Sequence, residues 1–319
     1  MKRAPRNPFG AAVTTILAAV LTALLLVGGT VPASATNKIP HRPSHPSQAR
    51  PITVGGQVST PGSYSPADLA ALPQTTLPDV RGPRPRPDLT GVLLESLVTA
   101  AGPQAPAVKN ADLRVSIVVA GRHDAVAATL AELQPRFGNH PALLIDQGHG
   151  RDAETDLVFP GDRGHRRTVR DVRSITVSIA APTLPVGLPS GAIQISTDRG
   201  TAVLTARRLA RLPQLTRTVT FASGSGQQTR VETGPTLADV LRAAHVHTTS
   251  TSVVAAIADD SYVSTVTPGE ATSGRRTLLV SLQEDGNALG QPRLVTDGDI
   301  AGGRYVSGLL GLQVTSTCS

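Results

Sequence analysis

A glycine- and serine-rich turn in the second half of the chain is the first place where the sequence could hold a ligand. Ser223 and Gly224 lie in the segment Phe221-Ala-Ser-Gly-Ser-Gly226. Glycine lets the backbone approach a bound molecule closely, and a serine hydroxyl there can donate or accept a hydrogen bond. Tyr262 adds a ring that can stack on a ligand and a hydroxyl that can bind it. These residues predict a ligand-binding cleft.

Two arginines and an aspartate complete the expected cleft, namely Arg276, Asp299 and Arg304. A guanidinium group binds a carboxylate or a phosphate through two parallel hydrogen bonds, so a small or anionic ligand is expected. The sequence has no G-x-x-x-x-G-K-[ST] phosphate loop and no G-x-S-x-G nucleophile elbow. No catalytic residue is therefore predicted.

The densest basic run contains Arg163, Arg166, Arg167, Arg170 and Arg173. Alternate residues of a strand face opposite sides, so Arg167 and Arg173 would share one face and Arg166 and Arg170 the other. The run is either the charged, protected edge of a sheet or a patch that binds an anionic cell-wall ligand.

A second basic stretch, Val80-Arg-Gly-Pro-Arg-Pro-Arg-Pro87, lies far from the first in the sequence. Its alternating prolines favour an extended backbone. It is either a linking loop or an exposed basic arm.

Metal chemistry has little support in the sequence. The single cysteine, Cys318, can form neither an intramolecular disulfide nor a cysteine-based zinc site. His245 and His247 would share a strand face or end a helix, but they have no third ligand nearby in the sequence. The loop Asp146-Gln-Gly-His-Gly-Arg-Asp152 is interpreted as an ordinary hairpin. No metal site is predicted.

Charge and aromatic content bear on the class of partner. The formal net charge is +7, carried almost entirely by arginine, which fits contact with anionic surfaces. Aromatic residues make up only 2% of the chain, so stacking platforms for bases are nearly absent. Nucleic acid is therefore not an expected partner.

The N-terminus has the order of a secretory signal peptide. A basic start precedes an apolar run from Ala11 to Val31, and Ala33 and Ala35 form a small-residue cleavage site. An uncleaved anchor is the alternative, because the run is nearly long enough to span a bilayer, and it would be the only membrane contact. The N-terminal segment contains no Arg-Arg pair, so export by the Sec route to an extracellular or cell-envelope location is expected.

Composition divides the chain into five parts. Residues 36–50 are rich in proline, serine and basic residues, and residues 181–192 are rich in proline and glycine, as is typical of linkers. The predicted organisation is a signal peptide at 1–35, a disordered linker at 36–50, a domain at 51–180, a linker at 181–192 and a second domain at 193–319.

The two predicted domains repeat one another in sequence. Asp68-Leu-Ala-Ala-Leu-Pro73 matches Arg208-Leu-Ala-Arg-Leu-Pro213, and Thr90-Gly91 matches Thr233-Gly234. Further ordered matches follow with a slowly drifting offset, which indicates a tandem duplication. Each copy is expected to contain many short strands and a few short helices, which predicts an α+β fold.

Each copy resembles the sulfite-oxidase-fold domain of molybdopterin-dependent oxidoreductases. The residues that carry the resemblance are an L-A-x-L-P helix end, the T-G-x-x-L-x-x-L corner and helix, Asp260-Ser-Tyr262, the D-G-x-x-L turn at Asp285 to Leu289, and R-L-V-x-x-G-D followed by G-x-Y-V between Arg293 and Val306. The likeness is weaker in the first copy, where Val126 replaces the tyrosine. The fold implied is two tandem mixed modules of this type.

The resemblance also implies a molybdenum ion bound by a pterin dithiolene and one protein cysteine, which lies before the T-G corner. The matching windows here are Val219 to Gly224 and Gln74 to Val80, and neither contains a cysteine. Hydroxyl and amide groups do not replace a soft thiolate well. No cofactor is therefore expected, although molybdopterin is the one that the resemblance implies.

Together these observations predict a secreted, non-catalytic protein of two such modules that binds a small-molecule or anionic cell-wall ligand. Two alternatives remain open. One is an active molybdopterin-dependent oxidoreductase with an altered metal ligand. The other is a basic interaction protein of the cell envelope.

Overall fold

A computed structural model describes residues 50–146 and 154–316. The predicted signal peptide, nearly all of the first linker, most of the loop after Asp146, and Cys318 lie outside these ranges. The described residues all belong to one compact unit.

The first half of the chain contains nine strands and three α-helices in residues 52–146 and 155–179. The strands are β1 (Ile52–Gly56), β2 (Gly62–Tyr64), β3 (Gln74–Leu77), β4 (Leu89–Leu93), β5 (Val115–Ala120), β6 (Ala125–Thr129), β7 (Leu143–Asp146), β8 (Thr155–Val158) and β9 (Ser174–Ile179), and the helices are α1 (Pro66–Ala71), α2 (Leu94–Ala101) and α3 (Leu130–Leu133).

The second half, over residues 193–316, follows the same order of elements. Its strands are β10 (Ile193–Thr197), β11 (Gly200–Leu204), β12 (Leu215–Ser223), β13 (Gly226–Gly234), β14 (Ser252–Ala258), β15 (Val263–Val266), β16 (Leu278–Glu284), β17 (Asn287–Thr296) and β18 (Leu309–Ser316), and its helices are α4 (Ala206–Leu209), α5 (Leu237–Ala243) and α6 (Pro268–Thr272).

The strands form four sheets, two in each half. The five-stranded sheet of the first half has the order β2-β1-β9-β5-β6, and that of the second half has the order β11-β10-β18-β14-β15. The four-stranded sheets have the orders β3-β4-β7-β8 and β12-β13-β16-β17. The fold is therefore mixed α and β with many strands and few helices, as predicted, and each sheet of the second half repeats the strand order of its counterpart.

The glycines of both T-G pairs are required because the neighbouring backbone packs closely against them. A Cβ atom on Gly91 would lie 2.3 Å from the carbonyl oxygen of Leu144, and one on Gly234 would lie 2.0 Å from that of Val280. Only glycine fits these positions. Both glycines lie within strands β4 and β13 and not in turns, so the predicted turn is corrected to a strand that leads into a helix.

Each half has its own apolar core. Helix α2 buries Leu94, Leu97, Val98 and Ala101, which lie on one face at helical spacing, and they join the buried residues of its five-stranded sheet. The second half has a separate cluster around helix α5 and strands β14 and β18.

The two halves are joined by hydrogen bonds as well as by packing. The Thr265 hydroxyl donates to the Leu113 carbonyl at 2.8 Å, and both residues are buried. The Arg163 amide donates to the Ser273 carbonyl at 2.7 Å. No helix among the described residues is long and apolar enough to cross a membrane.

Candidate functional site

A pocket of about 670 Å³ lies where residues of both halves meet, and we call it the aromatic pocket. The whole chain has only four phenylalanines and three tyrosines. Four of these seven line this one pocket, namely Phe137, Phe221, Tyr262 and Tyr305. The pocket therefore contains more than half of the protein's phenylalanine and tyrosine side chains.

Glycines allow these rings to pack closely. The rings of Phe221 and Tyr305 meet edge to face with centroids 4.3 Å apart. A Cβ atom on Gly302 would lie 2.7 Å from the Phe221 ring, and one on Gly303 would lie 2.3 Å from the Phe137 ring. The pocket wall can therefore have this shape only with glycine at positions 302 and 303.

Tyr262 lines the aromatic pocket as expected, but its hydroxyl already has partners. It donates to the Gly303 carbonyl at 2.6 Å and accepts from the Asn110 amide at 3.3 Å. Burial raises the pKa of Tyr262 above its usual value. The ring therefore remains available to a ligand, while the hydroxyl holds the pocket wall together.

Ser223 and Gly224 also line the aromatic pocket, at its exposed rim. The Ser223 hydroxyl lies 3.0 Å from the Ser225 hydroxyl and donates to the Gly226 carbonyl at 3.1 Å. The predicted turn thus exists between β12 and β13, and its serine shapes the rim.

The other three predicted cleft residues do not line the aromatic pocket. Arg304 is fully buried and holds Asp299 through two hydrogen bonds of 2.7 and 2.6 Å, and Glu270 through one of 2.6 Å. Arg276 donates to Asp299 at 2.8 Å and to the Gly138 carbonyl. We call Glu270, Arg276, Asp299 and Arg304 the second ion cluster.

This arrangement corrects the role expected for Arg276, Asp299 and Arg304. A buried arginine must be paired, because an unpaired charge in the interior is costly. Arg304 therefore binds the chain's own carboxylates, and its fully buried side chain is not part of the aromatic pocket. Burial raises the pKa of Asp299 even with both arginines beside it.

A matching group lies in the first half and includes one of the basic-run arginines. Arg167 is only 4% exposed and binds Asp162 through hydrogen bonds of 2.9 and 2.6 Å and Glu132 through one of 2.5 Å. His140 lies 2.8 Å from Asp162. We call Glu132, His140, Asp162 and Arg167 the first ion cluster. Sequence reasoning missed this group, although the offset between Asp162 and Asp299 pointed to it.

The basic run is a loop rather than a strand, so its predicted alternation of faces is wrong. It lies between β8 and β9, and only Val169 makes an isolated bridge, to Leu157. Arg167 points inward, and Arg173 pairs with Asp171. Arg163, Arg166 and Arg170 are exposed.

A larger groove of about 1030 Å³ also lies between residues of the two halves, and we call it the inter-half groove. Its polar lining includes His123, His165, Arg166, Arg170, Arg199, His245 and His247. The predicted histidine pair is thus exposed at this groove, just after helix α5. Among residues 50–146 and 154–316, no group of three or more histidine, cysteine, aspartate or glutamate side chains could hold a metal ion.

The residues before the T-G corner do not fit the metal centre that the family resemblance implies. Strand β12 ends with Phe221, Ala222 and Ser223, Gly224 follows it, and the corresponding strand β3 contains Gln74 to Leu77. Neither strand carries a thiol, and the part of the chain that the structure describes contains no cysteine at all. We therefore derive no chemistry through a molybdenum cofactor.

Comparison with known proteins adds little to this description. No protein-family model matches the chain, and neither does any curated protein sequence. Among solved structures, the chain is similar to the sulfane dehydrogenase SoxCD from Paracoccus pantotrophus, with 14% identity over 76% of this chain and 77% of that one. The TM-score is 0.30, which is too low to support a conclusion about fold or function.

Proposed function

We propose that this chain is a secreted, non-catalytic binding protein whose aromatic pocket takes a small ligand with a flat apolar part. The observation that carries the proposal is the gathering of four of the chain's seven aromatic side chains around one pocket. Ligand sites are typically concave, mostly apolar and equipped with a few polar groups.

The rim of the aromatic pocket supports a ligand that also carries an anionic group. Lys109 lies there, exposed and without an ion pair in the described chain. Asp260 lies on the same lining, but its carboxylate accepts the Tyr262 amide at 2.9 Å. A ligand would place its ring against Tyr262 and Phe221 and its negative charge near Lys109.

We also propose that the fold arose from two sulfite-oxidase-like modules that are now degenerate. The repeated strand orders and the paired ion clusters support a duplication. Loss of the cysteine from both copies supports a change from redox chemistry to binding, because molybdenum needs a soft ligand. The order of the N-terminal segment supports export, and secreted material that begins at Thr36 would support cleavage of the signal peptide.

A direct test uses the anionic aromatic dye 1-anilinonaphthalene-8-sulfonate and isothermal titration calorimetry. Ser223→Trp would fill the rim of the aromatic pocket and is expected to weaken dye binding about tenfold or more. Ser225→Trp is the matched control, because Ser225 lies in the same exposed turn but does not line the pocket. Equal affinities of the two variants would contradict the proposal.

Elemental analysis and mass spectrometry of the chain purified from its own host test the competing enzymatic function. We expect neither molybdenum nor pterin in stoichiometric amount. Stoichiometric recovery of both would overturn the non-catalytic proposal and indicate an oxidoreductase with an unusual metal ligand.

A further inference from the structure

Two basic segments that are far apart in the sequence lie side by side in the fold. The Gly164 amide donates to the Arg81 carbonyl at 2.9 Å, and the Val80 amide donates to the Pro160 carbonyl at 3.0 Å. The Arg275 guanidinium donates to the Val80 carbonyl at 2.9 Å. The proline-rich arm is therefore held against the loop that carries the basic run.

The carboxylate of Asp79, which precedes the proline-rich arm, is paired with an arginine of that arm. Asp79 is buried and bound by Arg81 through hydrogen bonds of 2.8 and 2.7 Å, which lower the pKa of Asp79 to about 2. Arg86 lies 3.7 Å from the same carboxylate and 3.0 Å from the His165 ring. The negative charge of Asp79 is therefore balanced by Arg81 and offsets the other arginines only weakly.

The exposed arginines of these two adjoining segments are here called the basic face, and the Arg86 guanidinium lies 3.0 Å from the His165 ring of the other segment. Its members are Arg84, Arg86, Arg163, Arg166 and Arg170. Arg166 and Arg170 also line the inter-half groove, so the basic face continues into that groove. The groove's far wall adds Arg199, His245 and His247.

Several of these cations lack a carboxylate partner. Within the described ranges, Arg166, Arg170 and Arg199 form no ion pair, whereas the buried Arg167 between them forms two. The acids in the lining are Asp124 and Asp198, both exposed. Unpaired guanidinium groups along a groove raise the local concentration of anions and bind phosphate oxygens in pairs.

We propose that the inter-half groove and the basic face together bind an extended phosphate polymer that carries no bases. Arg166, Arg170 and Arg199 line one groove without carboxylate partners in the described chain, and such a series of cations suits a chain of repeating charges better than a single anion. No phenylalanine, tyrosine or tryptophan lines the groove, so it lacks the large aromatic side chains on which single-strand-binding proteins stack bases. This site is separate from the aromatic pocket, and its partner is of a different class.

The test uses fluorescently labelled inorganic polyphosphate and the mature chain, with affinity measured at several salt concentrations. Arg166→Gln combined with Arg170→Gln should weaken binding about tenfold at low salt. Removing two phosphate contacts should also reduce the slope of log affinity against log salt by about 1 to 2.

Arg207→Gln combined with Arg211→Gln is the matched control. These two arginines have the same spacing, are exposed and do not line the groove. The control pair should change affinity less than twofold. An equal loss in both double variants would overturn the proposal, because it would mean that only net charge matters.

A second variant and a competitor complete the test. Arg84→Gln combined with Arg86→Gln removes charge from the proline-rich arm and should weaken polyphosphate binding by about threefold to tenfold. This variant keeps the proposal testable if the first double variant does not fold. Single-stranded oligothymidine should compete more weakly than polyphosphate of equal charge. Stronger competition by oligothymidine, or no binding of polyphosphate by the wild type, would overturn the proposal.

Discussion

Each half of the chain buries one arginine that holds an aspartate five residues before it and a glutamate from the start of a short helix. In the first ion cluster, Arg167 holds Asp162 and Glu132. In the second, Arg304 holds Asp299 and Glu270. The fourth member differs, since His140 occupies the place beside Asp162 that Arg276 takes beside Asp299.

That difference changes the balance of charge. The second ion cluster contains two arginines and two carboxylates, so its formal charge is zero. The first contains one arginine and two carboxylates, so with both acids ionised it has an excess of negative charge. Burial raises the pKa of Glu132, which favours uptake of a proton by the carboxylate. One substitution between otherwise similar clusters thus leaves the first one with a deficit of positive charge.

Both clusters also connect the two halves. The Arg167 side chain packs so closely on Gly269 and Gly274 that a Cβ atom on either glycine would lie 2.9 Å from it. In the other direction, Arg276 of the second half donates a hydrogen bond to the Gly138 carbonyl of the first half. The clusters therefore hold the halves together through the backbone of α6 and of the segments that follow α3 and α6.

The largest expected effect is a difference in stability between variants at the central arginines of the two clusters. Arg167→Met leaves two buried carboxylates with only His140 and should cost about 3 to 5 kcal/mol of stability. Arg304→Met should cost less, because Arg276 still binds Asp299. Urea unfolding of both variants measures the difference, and a larger loss for Arg304→Met would contradict the charge-balance argument.

A smaller effect is expected from the fourth members. Arg276→Gln removes charged hydrogen bonds to Asp299 and Gly138 and should cost about 2 to 3 kcal/mol. His140→Gln keeps a donor near Asp162 and should cost about 1 kcal/mol. Both losses are measured as free energies of unfolding in urea. Equal losses would show that the histidine and the arginine stabilise their clusters equally, which would contradict the proposed difference between the clusters.

The smallest effect concerns the pH dependence of the first ion cluster. Because the folded pKa of Glu132 is raised, the native state binds its proton more tightly than the unfolded state does. The stability that this proton contributes is fully present below the unfolded pKa of about 4.3 and is lost as the pH rises through the folded pKa. Glu132→Gln removes this dependence, so its stability relative to the wild type should rise from pH 4 upward.

Unfolding curves between pH 4 and pH 7 measure this trend. Glu154→Gln, at an exposed glutamate, is the control and should follow the wild type throughout. A stability difference between Glu132→Gln and the wild type that stays constant with pH would contradict the assignment of the titrating proton to Glu132.

Local patterns in the sequence predicted much of the fold. The apolar spacing of Val92, Leu93, Leu97 and Val98 indicated helix α2, although Val92 and Leu93 belong to strand β4. The turn expected at Asp285 lies between β16 and β17, where Asp285 and Gly286 both have positive φ. The candidate site was predicted in part, since Ser223, Gly224 and Tyr262 all line the aromatic pocket. These features depend on neighbours in the chain, which the sequence displays directly.

The sequence by itself determined the order of short strands and helices, the similarity of the two halves and the absence of a cysteine before either T-G corner. Only the tertiary structure decided which arginines face solvent, because Arg166 and Arg167 are adjacent in sequence yet one is exposed and the other is buried. That choice depends on carboxylates brought from distant positions, such as Glu132, since a guanidinium group can be buried only where such partners meet it.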